Sequence, residues 1–259
     1  MKKDDVIKKN SWRMLLVVVL LILSSVLIIK GQYPYYKIED KTKALKSFKG
    51  VEDEKALGWL RVQGTNIDFP IVYYYDTDVT DSTNELGWTY SNSNKLEEKT
   101  TIFSHNILNV SSRPLITDKN HKRFEQLMSF IYTDFVKKNK YIEYTTDNNN
   151  YLFKIYAISF QKEENLSYKK TDLANKEKQK YIDNAIKNSY FKFNTVVKNS
   201  DKLITLVNCT RFFGNTTDYS FVVDARLVRK NELVTNYGVE ETKNYKKIKD
   251  IMKGDADNV

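Results

Sequence analysis

The chain has 259 residues, of which 41% are hydrophobic and 13% aromatic, and it carries a formal net charge of +9. This length favours one large folded domain with appendages over two full domains. The positive charge is scattered, and no zinc finger, aromatic RNA-binding signature or basic helix is present, so no nucleic acid partner is expected.

The first predicted element is an uncharged run, residues 14–29, which reads MLLVVVLLILSSVLII. It is slightly shorter than a usual membrane-spanning helix of about 20 residues, but Trp12, Arg13 and Lys30 can extend its ends. No Ala-x-Ala-like site follows, which argues against a cleaved signal peptide. The basic segment 1–13 predicts a cytoplasmic N-terminus, so the sequence predicts a single-pass cell-membrane anchor with the catalytic domain extracellular.

Residues 30–57 follow as a charged extension whose apolar spacing predicts one or two short helices. Eight strand-like segments then recur across residues 58–229, which we interpret as the catalytic domain. Their order predicts a mostly β fold with added helices, built on a closed or nearly closed eight-stranded barrel. The segments are Gly58–Val62, Ile67–Tyr74, Gly87–Tyr90, Thr100–His105, Tyr141–Thr146, Tyr151–Gln161, Lys202–Cys209 and Phe221–Val228.

Two helices are predicted to interrupt these strands. His121–Lys138 has apolar residues at helical spacing. Asp172–Ser189 begins with a capping Asp and lies between the sixth and seventh strands. The last residues, 230–259, are polar and charged, which predicts either a loose helix near Glu240–Met252 or a disordered tail.

Cys209 and His105 are the candidate reactive residues, because each ends a β-like run and precedes a loop. The thiolate is the nucleophile of cysteine enzymes, and a neighbouring histidine can supply the base that it needs. Spacing alone leaves open an inert buried cysteine and a loop histidine that is only hydrogen-bonded. The other histidine, His121, precedes a helical stretch and is interpreted as a surface or capping residue.

Neither a metal nor a cofactor is expected. One cysteine excludes an intramolecular disulfide, and with two histidines it leaves too few ligands for a structural zinc site. The acidic residues Asp76, Asp78 and Asp81 could hold a cation, but a solvated acidic loop is the favoured interpretation.

Two motifs make the sequence specific. Residues 103–106 read Phe-Ser-His-Asn, and residues 205–209 read Thr-Leu-Val-Asn-Cys. They resemble the strand-end His-Asn signature and the Thr-Leu-x-Thr-Cys signature of the sortases, with Asn208 in place of the Thr. Residues 221–228 resemble the last strand of the sortase barrel, and the helix before the seventh strand resembles the class B subgroup. The resemblance covers roughly residues 40–229.

The resemblance implies a reaction. Cys209 would attack a backbone carbonyl in the C-terminal sorting signal of a secreted protein, forming a thioacyl-enzyme as the tail of the signal leaves. An amine from a peptidoglycan precursor or a pilin would then resolve the thioacyl-enzyme. His105 would donate a proton to the leaving amine and later accept one from the incoming amine.

One departure from the family pattern concerns an arginine. The resemblance places an arginine at the start of the last strand, where this chain has Ser220. Arg211 lies two residues beyond Cys209, and continued strand alternation would turn both side chains to one face, so we hypothesise that Arg211 substitutes for it. Arg226 would lie about 20 Å further along the strand from Ser220.

Two alternatives to the sortase reaction remain open. A catalytically impaired sortase-fold binding protein is favoured if nothing replaces the missing arginine. An unrelated membrane-tethered thiol hydrolase is the third hypothesis.

Overall fold

The computed structural model describes residues 14–22, 36–51, 56–76, 78, 81, 83, 85–162, 173, 175–214 and 218–254. The chain divides into two compact units. One contains residues 1–37 with 233–235, and the other contains residues 38–232 with 236–259. Every strand and helix labelled below belongs to the second, larger unit.

The membrane anchor predicted across residues 14–29 is not supported. Residues 14–22 are helical with exposed side chains, whereas residues 23–29 and the basic segment 1–13 lie outside the described residues. No helix within the described ranges is long and apolar enough to cross a membrane, so the predicted single-pass cell-membrane localisation with an extracellular catalytic domain is wrong.

The strands of the larger unit are β1 (Ala56–Val62), β2 (Asp68–Tyr73), β3 (Gly87–Thr89), β4 (Lys99–Phe103), β5 (Tyr141–Thr145), β6 (Asn150–Lys162), β7 (Phe191–Phe193), β8 (Leu203–Thr210), β9 (Tyr219–Leu227) and β10 (Val239–Glu241). Eight of them close into a barrel in the order β1-β2-β3-β4-β8-β9-β6-β5, while β7 and β10 form a separate antiparallel sheet. Each predicted strand segment overlaps one barrel strand, so the predicted eight-stranded barrel is confirmed.

The helices are α1 (Thr42–Val51), α2 (Thr133–Lys138), α3 (Asn175–Asn188) and α4 (Lys243–Gly254), with 3₁₀ turns at Tyr74–Asp76 and Glu125–Ile131. Alternating burial along β1 shows one face toward the barrel interior, as expected of a strand. In contrast, β4 is buried on both faces. The buried residues that α3 adds to the outer face of the barrel are Tyr181, Ile182 and Ala185, which pack in one cluster with Phe103, Val207 and Val222. The predicted helix between the sixth and seventh barrel strands is therefore confirmed as α3.

The helix predicted over His121–Lys138 is wrong in form. Residues Glu125–Ile131 form a 3₁₀ helix, and the extended backbone of Tyr132 (φ −90°, ψ 125°) separates it from the short α2. All seven residues of the 3₁₀ helix are buried, Glu125 included. The carboxylate of Glu125 accepts hydrogen bonds from the backbone N–H groups of Leu108 and Lys122, so it caps a loop instead of facing solvent.

The C-terminal segment packs on the barrel. β10 pairs with β7, and α4 follows close to the predicted position near Glu240–Met252. Two tyrosine hydroxyls hold the segment: Tyr237 donates to the carbonyls of Lys140 and Ile155, and Tyr245 donates to the carbonyl of Ile131 at 2.6 Å. Both tyrosine side chains are buried, so residues 236–254 are part of the folded unit.

Candidate active site

Strand register brings the two candidate reactive residues to one level. β4 and β8 are parallel neighbours, and Phe103 is the Cα partner of Val207. Two residues further along each strand direction lie His105 and Cys209. Because the two strands run parallel, this register brings the two residues to one level at the same end of the barrel.

Cys209 is the exposed position in a strand that is otherwise buried. The residues of β8, LITLVNCT, are all buried except Cys209. Alternation turns Cys209 to the outer face of the barrel, above Val207 and Thr205. The structure thus shows that Cys209 is not a buried cysteine.

His105 shares a cleft with Cys209. The cleft encloses about 540 Å³ with its open mouth included, and its lining includes Trp88, Tyr90, Phe103, His105, Cys209 and Ser220. His105 is half-buried, and the centroid of its ring lies 4.9 Å from that of Trp88. The cleft therefore combines a thiol, an imidazole and an aromatic wall.

The backbone around His105 is held on two sides. The N–H of Ser104 donates to the carbonyl of Val207 at 3.4 Å, and its hydroxyl donates to the carbonyl of Leu86 at 3.0 Å. The carbonyl of His105 accepts from the N–H of Phe124 at 3.0 Å. These bonds fix the backbone of His105 to β8 on one side and to the segment before the 3₁₀ helix on the other.

The residue that stands where the family pattern has an arginine is Ser220, and it faces the thiol strand directly. Ser220 is the Cα partner of Cys209 across β8 and β9. Its side chain is buried beside the cleft. A serine hydroxyl can donate one hydrogen bond there, but it carries no charge.

Arg211 lies on the other side of Cys209. It is exposed just after β8 and lines a second cleft together with Asn106, Ile107, Val110 and Cys209. In the described part of the chain, its guanidinium has no hydrogen bond or ion pair. Arg211 is therefore near the thiol, but in a different cleft from His105.

Arg226 is remote from the site and has a structural role. It is the Cα partner of Leu203, six residues before Cys209 on β8. Its buried guanidinium donates to Glu232 at 2.6 Å and to the hydroxyl of Thr195 at 3.0 Å. Burial alone would raise the pKa of Glu232, but hydrogen bonds from Arg226 and Lys154 hold that pKa well below its usual range.

A buried polar cluster lies below the site on the same face of the barrel. The carboxylate of Asp224 accepts from the hydroxyls of Tyr181 at 2.5 Å and Thr205 at 2.7 Å. Burial raises the pKa of Asp224, and these hydrogen bonds oppose the rise. Burial also lowers the pKa of the nearby Lys99 to about 7, against the attraction of Asp224.

The structure corrects the interpretation of His121. His121 is buried, and its Nε2 lies 3.8 Å from a carboxylate oxygen of Asp118, so the interpretation as a surface residue is wrong. Within the described ranges no group of three or more His, Cys, Asp or Glu side chains could hold a metal ion. Hydrogen bonds from Thr83 lower the pKa of Asp81, to which the nearby His105 also contributes.

Two asparagines at the site, Asn106 and Asn208, were noted in the sequence motifs but were given no role there. Both are buried: Asn106 donates to the carbonyl of Cys209, and Asn208 donates to the carbonyl of Phe124. The available signal was their position, since each is adjacent in sequence to His105 or Cys209.

Comparisons with known proteins identify the family of this fold. The family model described as the sortase domain matches residues 60–228. Sortase B of Listeria monocytogenes is 25% identical over 190 residues, covering 69% of this chain and 70% of that protein. Sortase B of Staphylococcus aureus is 20% identical over 217 residues, covering 75% and 84%.

Solved structures of sortase B share the fold. A cysteine-to-serine mutant of Clostridium perfringens sortase B has a TM-score of 0.60 at 21% identity, covering 73% of this chain and 88% of that one. A substrate complex of Staphylococcus aureus sortase B has a TM-score of 0.57 at 16% identity, covering 88% and 99%. The family match spans more than half of this chain, so the chain belongs to the sortase family of cysteine transpeptidases and is class B-like.

Proposed function

We propose that Cys209 is the nucleophile of this transpeptidase and that its substrate is a secreted protein with a C-terminal sorting signal. The thiolate attacks a backbone carbonyl of the signal, the peptide C–N bond breaks, and the tail leaves as an amine. The observation that carries the proposal is the register of β4 and β8, which sets the exposed Cys209 level with His105 in one cleft. The second half of the reaction is attack of an acceptor amine on the thioester.

His105 is proposed as the acid and base of both halves. In the first half it donates a proton to the leaving amine, and in the second it accepts one from the attacking amine. The thiolate is regenerated when the C–S bond breaks, so protons and leaving groups balance over the cycle. The aromatic wall beside His105 supports this role, since Trp88 restricts the orientation of the imidazole ring.

Arg211 is proposed to stabilise the tetrahedral intermediate. A negative charge develops on the former carbonyl oxygen, and one preorganised donor for it is worth about 2.7–4 kcal/mol in enzymes of this kind. The guanidinium of Arg211 stays charged and has no partner among the described residues, so it is available to an oxyanion. Arg226 is committed to Glu232 and is unsuited to the task.

The substrate class follows from the class B resemblance. We propose signals that resemble Asn-Pro-x-Thr over signals that resemble Leu-Pro-x-Thr, and an acceptor amine from a peptidoglycan precursor or from a pilin. The solved relatives include a complex of sortase B with a substrate and another with triglycine, which supports a peptide donor and an amine acceptor. The proposed substrate class is based on the similarity of this fold to sortase B.

Mass spectrometry of the protein mixed with a peptide library tests the proposal. We expect a covalent thioester on Cys209, formed from Asn-Pro-x-Thr peptides and released by added amines as a transpeptidation product. A strong preference for Leu-Pro-x-Thr would reject the substrate class. Hydrolysis that no amine diverts would favour a thiol hydrolase.

A catalytically impaired binding protein is the second candidate, because the neutral Ser220 faces Cys209 where the family pattern has a cation. The same experiment separates it from an enzyme. An impaired protein would retain the peptides on a column without forming a thioester, whereas an enzyme forms the thioester.

A further inference from the structure

The hydrogen-bonded ladder between β4 and β8 weakens where the site begins. The two strands pair from Lys99 with Leu203 to Phe103 with Val207, and the bond from the N–H of Ser104 to the Val207 carbonyl is 3.4 Å, longer than the usual range of about 2.7–3.2 Å. In a parallel ladder the next bond along would join the N–H of residue 106 to the carbonyl of residue 209. A carboxamide occupies this place: Nδ2 of Asn106 donates to the Cys209 carbonyl at 3.1 Å.

A second carboxamide, that of Asn208, links the strand of Cys209 back to the segment that binds His105. Nδ2 of Asn208 donates to the carbonyl of Phe124 at 2.9 Å, and the N–H of Phe124 donates to the carbonyl of His105 at 3.0 Å. Asn106 thus binds the backbone of Cys209. Asn208 binds Phe124, whose N–H in turn binds the carbonyl of His105.

The orientation of each carboxamide is fixed by its surroundings. Nδ2 of Asn106 faces two carbonyl oxygens, those of Cys209 and Asn109, each at 3.1 Å, so a flipped amide would set oxygen against oxygen. The other atom of each group, Oδ1, is buried without a donor among the described residues. Each carboxamide is therefore held through its Nδ2 donor.

We propose that Asn106 and Asn208 are positioning residues that brace His105 against Cys209. The brace lets the backbone of residues 105–106 stand away from β8 by the length of a side chain, which leaves room for the cleft, while it keeps the imidazole and the thiol level. This inference rests on the proposed function, because its purpose is proton transfer between His105 and groups bonded to Cys209. Geometry matters strongly in such a pair, since an error of about 1 Å can reduce the rate about 100-fold.

Steady-state cleavage of a sorting-signal peptide tests the brace. We expect Asn106→Ala to lower kcat about 10-fold to 100-fold with KM changed less than about 3-fold, because the cleft remains and only the alignment is lost. Asn208→Ala should change the same parameter. Asn106→Gln keeps a carboxamide donor and should recover part of the loss.

Asn109→Ala is the matched control. Asn109 is equally buried in the same loop, and its Nδ2 also donates to two carbonyls, but these belong to Leu115 and Glu125. We expect the Tm of Asn109→Ala to fall about as much as that of Asn106→Ala. Its kcat should stay within about 3-fold of wild type, because its side chain binds Leu115 and Glu125 and not Cys209. Equal kcat values in the Asn106→Ala and Asn109→Ala variants would overturn the brace.

A crystal structure of the Asn106→Ala variant gives a readout that does not depend on turnover. The distance between the Cα atoms of His105 and Cys209 should increase relative to wild type, and an unchanged distance would overturn the brace. Failure of the proposed function is distinguishable, because it is the wild-type protein that would then form no thioester with any peptide.

Discussion

Two levels of the same barrel face differ sharply. At the upper level, His105, Cys209 and Ser220 stand on adjacent strands around an open cleft. Four residues lower, about 13 Å along the strands, Thr205 and Asp224 occupy the same face beneath α3. We refer to these as the open level and the sealed level.

The two levels satisfy their polar groups differently. At the sealed level, the Asp224 carboxylate accepts from both Tyr181 and Thr205, and the helix excludes water. At the open level, the backbone ladder has weakened and two asparagine oxygens lack donors among the described residues. β8 and β9 run through both levels, so the packed sealed level supports the strands that carry Cys209 and Ser220. A site on rigid strands holds its reactive groups precisely.

The largest effect expected at the open level is that of Cys209→Ala. It should abolish thioester formation and transpeptidation, because no other thiol exists in the chain. The Tm should stay near the wild-type value, since Cys209 is exposed and removal of an exposed side chain changes stability by less than about 0.5 kcal/mol. Mass spectrometry and thermal denaturation check the two expectations. Residual turnover in this variant would refute Cys209 as the nucleophile.

His105→Ala should follow, with kcat lowered about 100-fold to 10,000-fold through loss of proton transfer. His121→Ala is the control, because His121 is the other histidine and is buried away from the cleft. The control should lose stability but keep its rate when it is assayed well below its Tm. A rate in the His105→Ala variant equal to that of the control would remove His105 from the mechanism.

Most of the elements that build the sealed level could be predicted from local sequence. Each barrel strand is a β-like run with its own signal, and α3 carries apolar residues at helical spacing, so both were predictable. The three-residue strands β7 and β10 were not, because they depend on pairing between residues far apart in the chain, such as Phe193 with Val239. Nor was the 3₁₀ form of Glu125–Ile131, since its burial comes from surrounding segments and not from its own periodicity.

The open level shows where sequence reasoning about the site stopped. Motifs predicted Cys209 and His105, and the register of parallel strands, which no local pattern encodes, decides that they stand level. Asn208 was visible only as a departure from the family pattern. Its contact with Phe124 joins residues 84 positions apart, so the contact could not be read from the motif alone.

Arginine substitutions should separate the two ends of the face. Arg211→Ala should lower kcat about 100-fold to 1,000-fold through loss of oxyanion stabilisation, with stability almost unchanged because the side chain is exposed. Arg226→Ala should instead destabilise the fold by about 3–5 kcal/mol, because it removes the buried guanidinium that pairs with Glu232. Peptide cleavage and chemical denaturation of both variants decide the assignment, and wild-type turnover in the Arg211→Ala variant would end the proposed role of Arg211.

The smallest expected effect concerns Lys99 at the sealed level, and it changes stability with pH. Burial lowers the pKa of Lys99 to about 7, whereas an unfolded lysine titrates near 10.5. Below pH 7 both states bind the proton, so Lys99 gives no pH dependence there. Between these values the unfolded state binds more protons than the folded state, so the free energy of unfolding should rise with pH.

The rise attributable to Lys99 should be at most about 1.4 kcal/mol per pH unit. Lys140 adds a contribution of the same sign that begins only above about pH 8, because burial lowers its pKa to about 8. Denaturant titrations between pH 7 and 9.5 should therefore show a shallower slope for Lys99→Met than for wild type across this range, whereas Lys140→Met should reduce the slope only above about pH 8. Peptide cleavage should be unchanged in the Lys99→Met variant, because Lys99 lies six residues before His105 and is sealed from the cleft. If the slope persists in Lys99→Met, the charge of Lys99 is already stabilised by Asp224, and the sealed level is a permanent ion pair instead of a titrating one.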